Sequence, residues 1–335
     1  MTNTFGASVK TETGHGREVA ITSTSFGKIS DEPFEILRRA GLTPRVVPGP
    51  HQGEALVKAL SGAVAAIIGT DPVSPEVLAR LPGLRVLVRH GAGLDNVPVE
   101  EALRRGIRVA RVPAASTNAV AELAVALMLS LARRVPEAAQ ATRGGGWPRI
   151  VGTELTGKTC GIVGFGKIGQ TVAQRLAGFE MTLLAYDPML SHERASALGV
   201  RPTGLDDLLR SSDFVTLHMP LTPETEGFIG PRELALMKPE AYLINTARGA
   251  LVDEAALAQA LSDGRLAGAA VDVFSQEPPG EASPLLRCPR LIPTPHMGAY
   301  TNEALNNVSR RAAEHVVALL RGDPCPDEVT LEGWS

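Results

Sequence analysis

Three ionisable side chains in the second half of the chain each stop an apolar run. Arg248 closes Ala241-Tyr-Leu-Ile-Asn-Thr-Ala-Arg248, Glu277 follows Val271-Asp-Val-Phe-Ser-Gln, and His296 ends Pro293-Thr-Pro-His296. In open α/β sheets ligands bind beyond the carboxyl ends of the strands, so three such ends can bring a guanidinium, a carboxylate and an imidazole to one place. The guanidinium grips a carboxylate through two parallel hydrogen bonds and polarises a carbonyl beside it. The imidazole exchanges a proton with a hydroxyl or carbonyl oxygen, and a neighbouring carboxylate holds the ring and favours its protonated form. Each residue alone has an ordinary reading: Arg248 as a surface residue, Glu277 as a solvated acid before Pro-Pro, His296 as a turn residue among prolines. Their joint placement is what points to chemistry.

Gly164-Phe-Gly-Lys-Ile-Gly169 supplies the context for that placement. The apolar run 159–163 leads into it, a helical pattern over 167–177 leads out, and Asp187 ends a second apolar run, 181–186. Strand, glycine turn, helix, strand, acid is the full dinucleotide-binding arrangement. Gly164 permits the tight turn, Gly166 lets the backbone approach a pyrophosphate, and Gly169 lets helix and strand pack closely with the helix N-terminus facing the phosphates. Asp187 is expected to accept from the adenosine ribose hydroxyls and to repel a 2′-phosphate. No basic residue at 188–190 reverses that, so NAD is favoured over NADP.

The elements that must position these residues form two α/β series. In the first, strands are expected over 19–23, 45–47, 64–68, 85–88 and 107–110, separated by helices over 33–40, 54–60, 75–80 and 99–104. Such alternation predicts a parallel sheet covered by helices. A helix over 117–134, apolar on most sides, must be buried on more than one face; it is expected to cross between domains or to sit in a subunit contact. The second series predicts strands over 159–163, 182–186, 214–217, 241–244, 268–273 and 290–292. A last helix over 301–320 has nothing obvious left to cover there and is expected to return to the first sheet. The expected division is 1–112 plus 299–335 against 113–298.

At 335 residues the chain suits about two domains. With 44% hydrophobic and 21% charged residues and a net charge of −3, it has an ordinary globular composition and no basic stripe for nucleic acid. The longest apolar run, 119–132, contains Glu122 and is too short to span a bilayer. Residues 1–18 read as a polar frayed tail rather than a signal peptide. Cys160, Cys288 and Cys325 suggest neither a metal site nor a disulfide framework. A cytoplasmic setting is expected.

Taken together, Gly91-Ala-Gly-Leu-Asp-Asn96, the glycine turn, Leu217-His-Met-Pro-Leu-Thr-Pro-Glu-Thr225, Asn245-Thr-Ala-Arg-Gly249, the stretch from Asp272 to Pro278 and Pro295-His-Met-Gly298 resemble the D-isomer-specific 2-hydroxyacid dehydrogenase family, from about residue 60 to 320. The resemblance implies a Rossmann-type NAD-binding domain inserted in a discontinuous flavodoxin-like substrate-binding domain, with a closing cleft. It also implies a homodimer built on the long helix and the segment around Trp147. It implies that Arg248 orients the substrate, Glu277 pairs with His296, and His296 is the acid/base. Cofactor contacts would come from Gly164, Gly166, Lys167, Ile168, Gly169, Asp187, Pro220, Thr225, Thr246, Asp272 and Gly298, with Asp272 near the nicotinamide amide.

The strand ending at His90 leads into Gly91-Ala92-Gly93, whose small residues suit a backbone nest for a substrate carboxylate. His90 is a further candidate substrate contact, although a structural role is also open. Arg89 resembles the arginine that phosphoglycerate dehydrogenases carry there and predicts a substrate with a distal phosphate or phosphonate; an inter-domain salt bridge is the alternative. Two features depart from that subgroup: Ile68-Gly69-Thr70 lacks a further arginine, and the sequence ends at Ser335 without the regulatory domain many of them append. A formate- or phosphite-type oxidoreductase is a rival, with Glu277 arguing against the formate type, which carries glutamine there. An NAD-sensing corepressor-like protein is another. His15, His51, His192 and His315 are expected at the surface.

Overall fold

In a computed structural model, described for residues 17–331, the chain forms two compact α/β units. Most of the tail expected over 1–18, and His15, lie outside the described residues. One unit comprises the described residues up to Ser116 together with those from Thr301 onward; the other is Thr117–Tyr300.

The chain opens with β1 (Glu18–Ile21), α1 (Glu32–Arg39), β2 (Thr43–Val46), α2 (Gly53–Leu60), β3 (Ala65–Ile68), α3 (Pro75–Ala79), β4 (Val86–Arg89), α4 (Val99–Arg104) and β5 (Arg108–Ala110). The second unit follows with α5 (Thr117–Ala132), α6 (Val135–Arg143), β6 (Thr159–Val163), α7 (Lys167–Leu176), β7 (Thr182–Tyr186), α8 (His192–Ala197), β8 (Val200–Pro202) and α9 (Leu205–Ser211). It continues through β9 (Phe214–Leu217), α10 (Pro231–Leu236), β10 (Tyr242–Asn245), α11 (Glu254–Ser262), β11 (Gly268–Val271) and β12 (Leu291–Pro293). The chain then returns to the first unit as α12 (Asn302–Arg321) and β13 (Glu328–Val329).

The first sheet has the order β13-β5-β4-β3-β1-β2. Its parallel strands follow the flavodoxin-like order 2-1-3-4-5, and β13 adds antiparallel to β5. Central β3 is Ala-Ala-Ile-Ile and fully buried, as a strand covered on both faces must be. On one face, α12 packs on β3, β4 and α1 through Val308, Ala312, Val316 and Leu319. Leu56, Leu60 and Leu78 fill the other face. Thr301 caps α12 by accepting from the Ala304 amide at 3.1 Å, and Gly322, at φ 81°, ends it in the left-handed conformation.

The second sheet has the order β12-β11-β10-β9-β6-β7-β8. Counted from β6 this is the doubly wound 3-2-1-4-5-6 arrangement with one further strand. Helix α5 lies on α7, β10 and β11, burying Ala121, Ala124 and Met128 completely. The long helix breaks earlier than its apolar pattern suggests. It stops at Ala132, and Arg134, at φ 52°, turns the chain into α6, whose Pro136 cannot continue the preceding ladder. Among the described residues no helix is long and apolar enough to cross a membrane, and no group of three or more His, Cys, Asp or Glu is placed to hold a metal ion.

Candidate active site

At the carboxyl end of β6 the three motif glycines meet three different environments. A Cβ on Gly164, which sits at φ 90°, would lie 2.6 Å from the backbone of His218 and Met219. A Cβ on Gly169 would lie 2.2 Å from the Gly164 carbonyl oxygen. These two positions exclude any side chain, because the turn, the loop after β9 and α7 are in backbone contact. A Cβ on Gly166, the N-cap of α7, would meet nothing within 4 Å. Gly166 instead borders open space at a helix N-terminus, where the first amides have no intrahelical partner. Lys167, Ile168 and Gly169 form that first turn. Asp187, at the end of β7, accepts from the Phe165 amide at 2.7 Å and the Met189 amide at 2.8 Å. Each oxygen keeps a second lone pair for a hydroxyl donor.

Two buried polar atoms nearby have no protein partner among the described residues, His218 Nδ1 and Thr246 Oγ1. His218 Nε2 meets Thr216 Oγ1 at 2.9 Å, and burial pushes the imidazole down to about 3, so the ring is neutral at neutral pH. Orphaned buried polar atoms are few in native structures, and a bound polar ligand satisfies them. Glycine turn, helix amides, acid and orphaned atoms together fit a dinucleotide. Thr225 does other work in the structure: its hydroxyl donates to the Pro220 carbonyl at 2.8 Å and accepts from the Thr222 amide at 2.7 Å, closing the loop after β9.

The strand ends beyond are fixed by polar side chains, some closing their own loop and some reaching the next. Asn245, buried at the end of β10, donates to the Arg248 carbonyl at 2.8 Å and accepts from the Ala247 amide at 3.0 Å. Arg248 itself donates to the Ala247 carbonyl at 2.7 Å. Asp272, 1% exposed, accepts from the Thr294 hydroxyl at 2.6 Å, the Met297 amide at 2.9 Å and the Gly298 amide at 2.8 Å. In the structure, then, the Asp272 carboxylate binds the loop that carries His296. That loop needs fastening, because His296 sits at φ 50°, a conformation costing about 1–3 kcal/mol that persists only when its surroundings over-determine it.

Glu277 and His296 meet. Nδ1 of the imidazole lies 2.6 Å from Glu277 Oε2, and Glu277 Oε1 accepts from the Phe274 amide at 3.1 Å. Burial pushes the Glu277 carboxyl up, but the His296 hydrogen bond and charge, the Phe274 amide and the Arg248 charge outweigh it and hold it below the usual range. Glu277 is therefore an ionised acceptor, so Nδ1 carries the proton and Nε2 is the nitrogen left for a substrate oxygen. The imidazole is 44% exposed, accessible to a small molecule.

In the first unit, the segment after β4 is held just as closely. Gly91, at φ 146°, lies under the Arg89 side chain: a Cβ there would be 2.2 Å from Arg89 Nη1, and that nitrogen donates to the His90 carbonyl. The Gly91 amide bonds back to the Arg89 carbonyl at 2.9 Å, so it is committed within the loop. The amides of Ala92 and Gly93 have no backbone partner among the described residues. His90, expected among the substrate contacts, is buried, and both ring nitrogens are engaged. Nδ1 lies 3.0 Å from Ser23 Oγ and Nε2 lies 2.9 Å from Ser309 Oγ. Ser309 gives its own proton to the Leu305 carbonyl at 2.8 Å, so Nε2 donates to Ser309 and Nδ1 accepts from Ser23. Burial, with the Arg89 charge, pushes His90 down to about 3. The structure gives this ring a scaffold role, with the chain as its partner on both sides. His315, expected at the surface, is buried as well, with Nε2 3.0 Å from Asp327 Oδ2.

Asp71 escaped sequence reasoning. Fully buried, it accepts from the Thr22 hydroxyl at 2.5 Å, the His51 amide at 2.7 Å and the Gly69 amide at 3.1 Å, joining the loops after β1, β2 and β3. Asn96 adds the loop after β4 by donating to the Gly69 and Asp71 carbonyls at 3.1 and 2.7 Å. The signal available in sequence was an Asp-Pro just past an apolar strand, after Gly69-Thr70.

Known proteins repeat this architecture. Residues 125–298 match the family described as D-isomer specific 2-hydroxyacid dehydrogenase, NAD binding domain. A D-3-phosphoglycerate dehydrogenase of Archaeoglobus fulgidus is 40% identical over 305 residues, covering 90% of this chain and 58% of that protein. A glyoxylate reductase of Thermococcus litoralis is 40% identical over 292 residues, covering 84% of this chain and 88% of that one. The solved structure of the TT0316 protein from Thermus thermophilus superposes with a TM-score of 0.86 at 38% identity, covering 93% of this chain and 100% of that one. The chain belongs to the D-isomer specific 2-hydroxyacid dehydrogenase family. It spans little more than half the length of the phosphoglycerate dehydrogenase it matches.

Proposed function

We propose that this protein is an NAD-dependent dehydrogenase interconverting a small 2-oxo acid and its D-2-hydroxy acid. The observation that carries this reading is the 2.6 Å contact between Glu277 and His296, in the unit that holds the glycine turn and within reach of the Arg248 charge. The glycine turn, the first amides of α7 and Asp187 would hold NADH, which would supply a hydride for the carbonyl carbon. The Arg248 guanidinium holds the substrate carboxylate and polarises the adjacent carbonyl. In the reducing direction His296 acts as the imidazolium, giving the Nε2 proton to the carbonyl oxygen and leaving the Nδ1–H neutral ring, which takes that proton back in the oxidising direction. Glu277 fixes the ring through Nδ1 and stabilises the imidazolium. Asp187 favours NAD over NADP by accepting ribose hydroxyls and repelling a 2′-phosphate.

The Ala92 and Gly93 amides are proposed as further carboxylate donors, and Arg89 as a reader of a second anionic group on the substrate. Comparing Arg89→Ala with wild type on a phosphorylated and an unphosphorylated 2-oxo acid tests the latter; an equal loss on both rejects it. The working form is proposed to be a cytoplasmic homodimer, a reading supported by the exposure of Trp147 and Val151, both 84% accessible. The central test is a panel of 2-oxo acids followed by NADH and NADPH absorbance, with phosphite and NAD in a parallel arm. Reduction of a 2-oxo acid with NADH preferred supports the reading. Turnover of phosphite alone, or NADH binding with no turnover across the panel, overturns it.

A further inference from the structure

We propose that Glu254 is a positioning residue that fastens the loop carrying Glu277 to the segment carrying Arg248; the inference rests on the roles given to Arg248, Glu277 and His296 above. Glu254 is the first residue of α11, whose N-cap is supplied by Asp253 accepting from the Ala256 amide at 3.0 Å. Asp253 supplies the side-chain cap, and the Glu254 carboxylate instead meets another segment. Oε1 accepts from the Ser275 amide at 2.6 Å, a short charge-assisted bond.

Ser275 lies two residues before Glu277, and its neighbour Phe274 gives its own amide to Glu277 at 3.1 Å. Two successive amides therefore bind two different carboxylates, one facing His296 and one anchored on α11. Leu257 and Leu261 of that helix are fully buried, so the anchor is fixed to the core. The other side of the joint is Gly249. A Cβ there would lie 1.9 Å from the Phe274 carbonyl carbon and 2.2 Å from the Ser275 nitrogen. Backbone 248–249 thus lies directly on backbone 274–275. That stacking is non-directional, and the Glu254 bond gives the loop a directional polar tie to α11. Without it, the Ser275 amide turns to water and the stretch after the buried Phe274 loses its polar tie, letting Glu277 shift relative to Nδ1 of His296.

The test compares Glu254→Ala, Glu254→Gln and Glu254→Asp in the full chain. Readouts are kcat and KM on the 2-oxo acid that wild type reduces best, NADH affinity by fluorescence, thermal midpoint, and the His296 Nδ1 proton resonance in 15N-histidine-labelled protein. Glu254→Ala is expected to lower kcat by about tenfold or more, since a misplacement near 1 Å costs up to about a hundredfold. It is expected to keep NADH affinity and to broaden or shift the Nδ1 proton signal. Glu254→Gln, whose amide oxygen accepts the same bond, restores both; Glu254→Asp, which keeps the helix-terminal charge but falls short of Ser275, does not. Wild-type kcat and an unchanged resonance in Glu254→Ala overturn the proposal, as does Glu254→Gln falling as far as Glu254→Ala. The resonance decides the matter even if wild type reduces none of the acids, an outcome that defeats the proposed activity and leaves the clamp to be judged by its spectrum. If Glu254→Ala does not fold, a wild-type signal and kcat in Glu254→Asp overturn it.

Discussion

Acidification should destabilise the first unit, in part through the buried His90 ring. His90 titrates at about 3 in the folded chain against 6.5 when exposed. Between those values the unfolded chain binds a proton that the folded chain refuses, so stability rises with pH across this window. The contribution is whole above about pH 6.5 and is lost as pH falls below it. At pH 5 the loss is about 2 kcal/mol, from about 1.36 kcal/mol for each unit of pH below the exposed value. The Ser23 hydroxyl can turn to accept from a protonated Nδ1, so the cost lies in burying the charge and in placing it beside Arg89. The assay is urea unfolding of wild type and His90→Gln at pH 7.5 and pH 5. Glutamine lowers stability at the higher pH, but wild type should lose about 2 kcal/mol more than the variant between the two, other titrating groups cancelling in the comparison. Equal losses in both proteins would refute a buried neutral His90.

Other outcomes follow from single contacts. Glu277→Gln should lower kcat by about ten- to a hundredfold with NADH affinity kept, because a neutral amide no longer stabilises the imidazolium; steady-state kinetics beside an NADH titration separates the two. Gly166→Val should keep the thermal midpoint, since its Cβ meets nothing within 4 Å, while weakening NADH by about tenfold or more as it fills the space beside the helix amides. Gly164→Val, with backbone 2.6 Å from its Cβ, should lower the midpoint sharply, and calorimetry distinguishes the pair. Asp187→Ser should narrow the ratio of NADH to NADPH efficiency by removing the charge that repels a 2′-phosphate. If the proposed homodimer forms, Trp147→Glu should shift the mass seen by light scattering from dimer to monomer; an unchanged mass contradicts that interface.

Much of the site was legible because it is punctuated. Arg248, Glu277 and His296 each end or follow an apolar run, and strand ends in a parallel sheet share one edge. The glycine turn likewise announces itself by what flanks it. Short elements with mixed composition did not announce themselves. Strand β8 is only Val-Arg-Pro at a sheet edge, and β13 is two residues whose placement depends on Arg108 binding Glu328 at 2.6 and 2.7 Å. Helix α6 buries no residue and so has no apolar stripe to read. The clamps made by Asp71, Asn245 and Glu254 were illegible for a different reason. Asp71 and Glu254 meet backbone in distant segments, His51 and Ser275, which leaves no spacing pattern behind, whereas Asn245 closes its own loop on Ala247 and Arg248, a short-range turn of a kind many loop asparagines make. His90 looked like a ligand contact because it adjoins the glycine loop. Its burial depends on Phe26, 5.8 Å away between ring centroids, and on Ser309, 219 residues later in the chain.

The proposed chemistry turns on His296, oriented by Glu277, moving the proton. The most direct measurement is single-turnover reduction of a 2-oxo acid by His296→Ala preloaded with NADH. The rate should fall by about 10²–10⁴-fold with the NADH dissociation constant unchanged. A rate near wild type in a variant that still binds NADH would contradict that role.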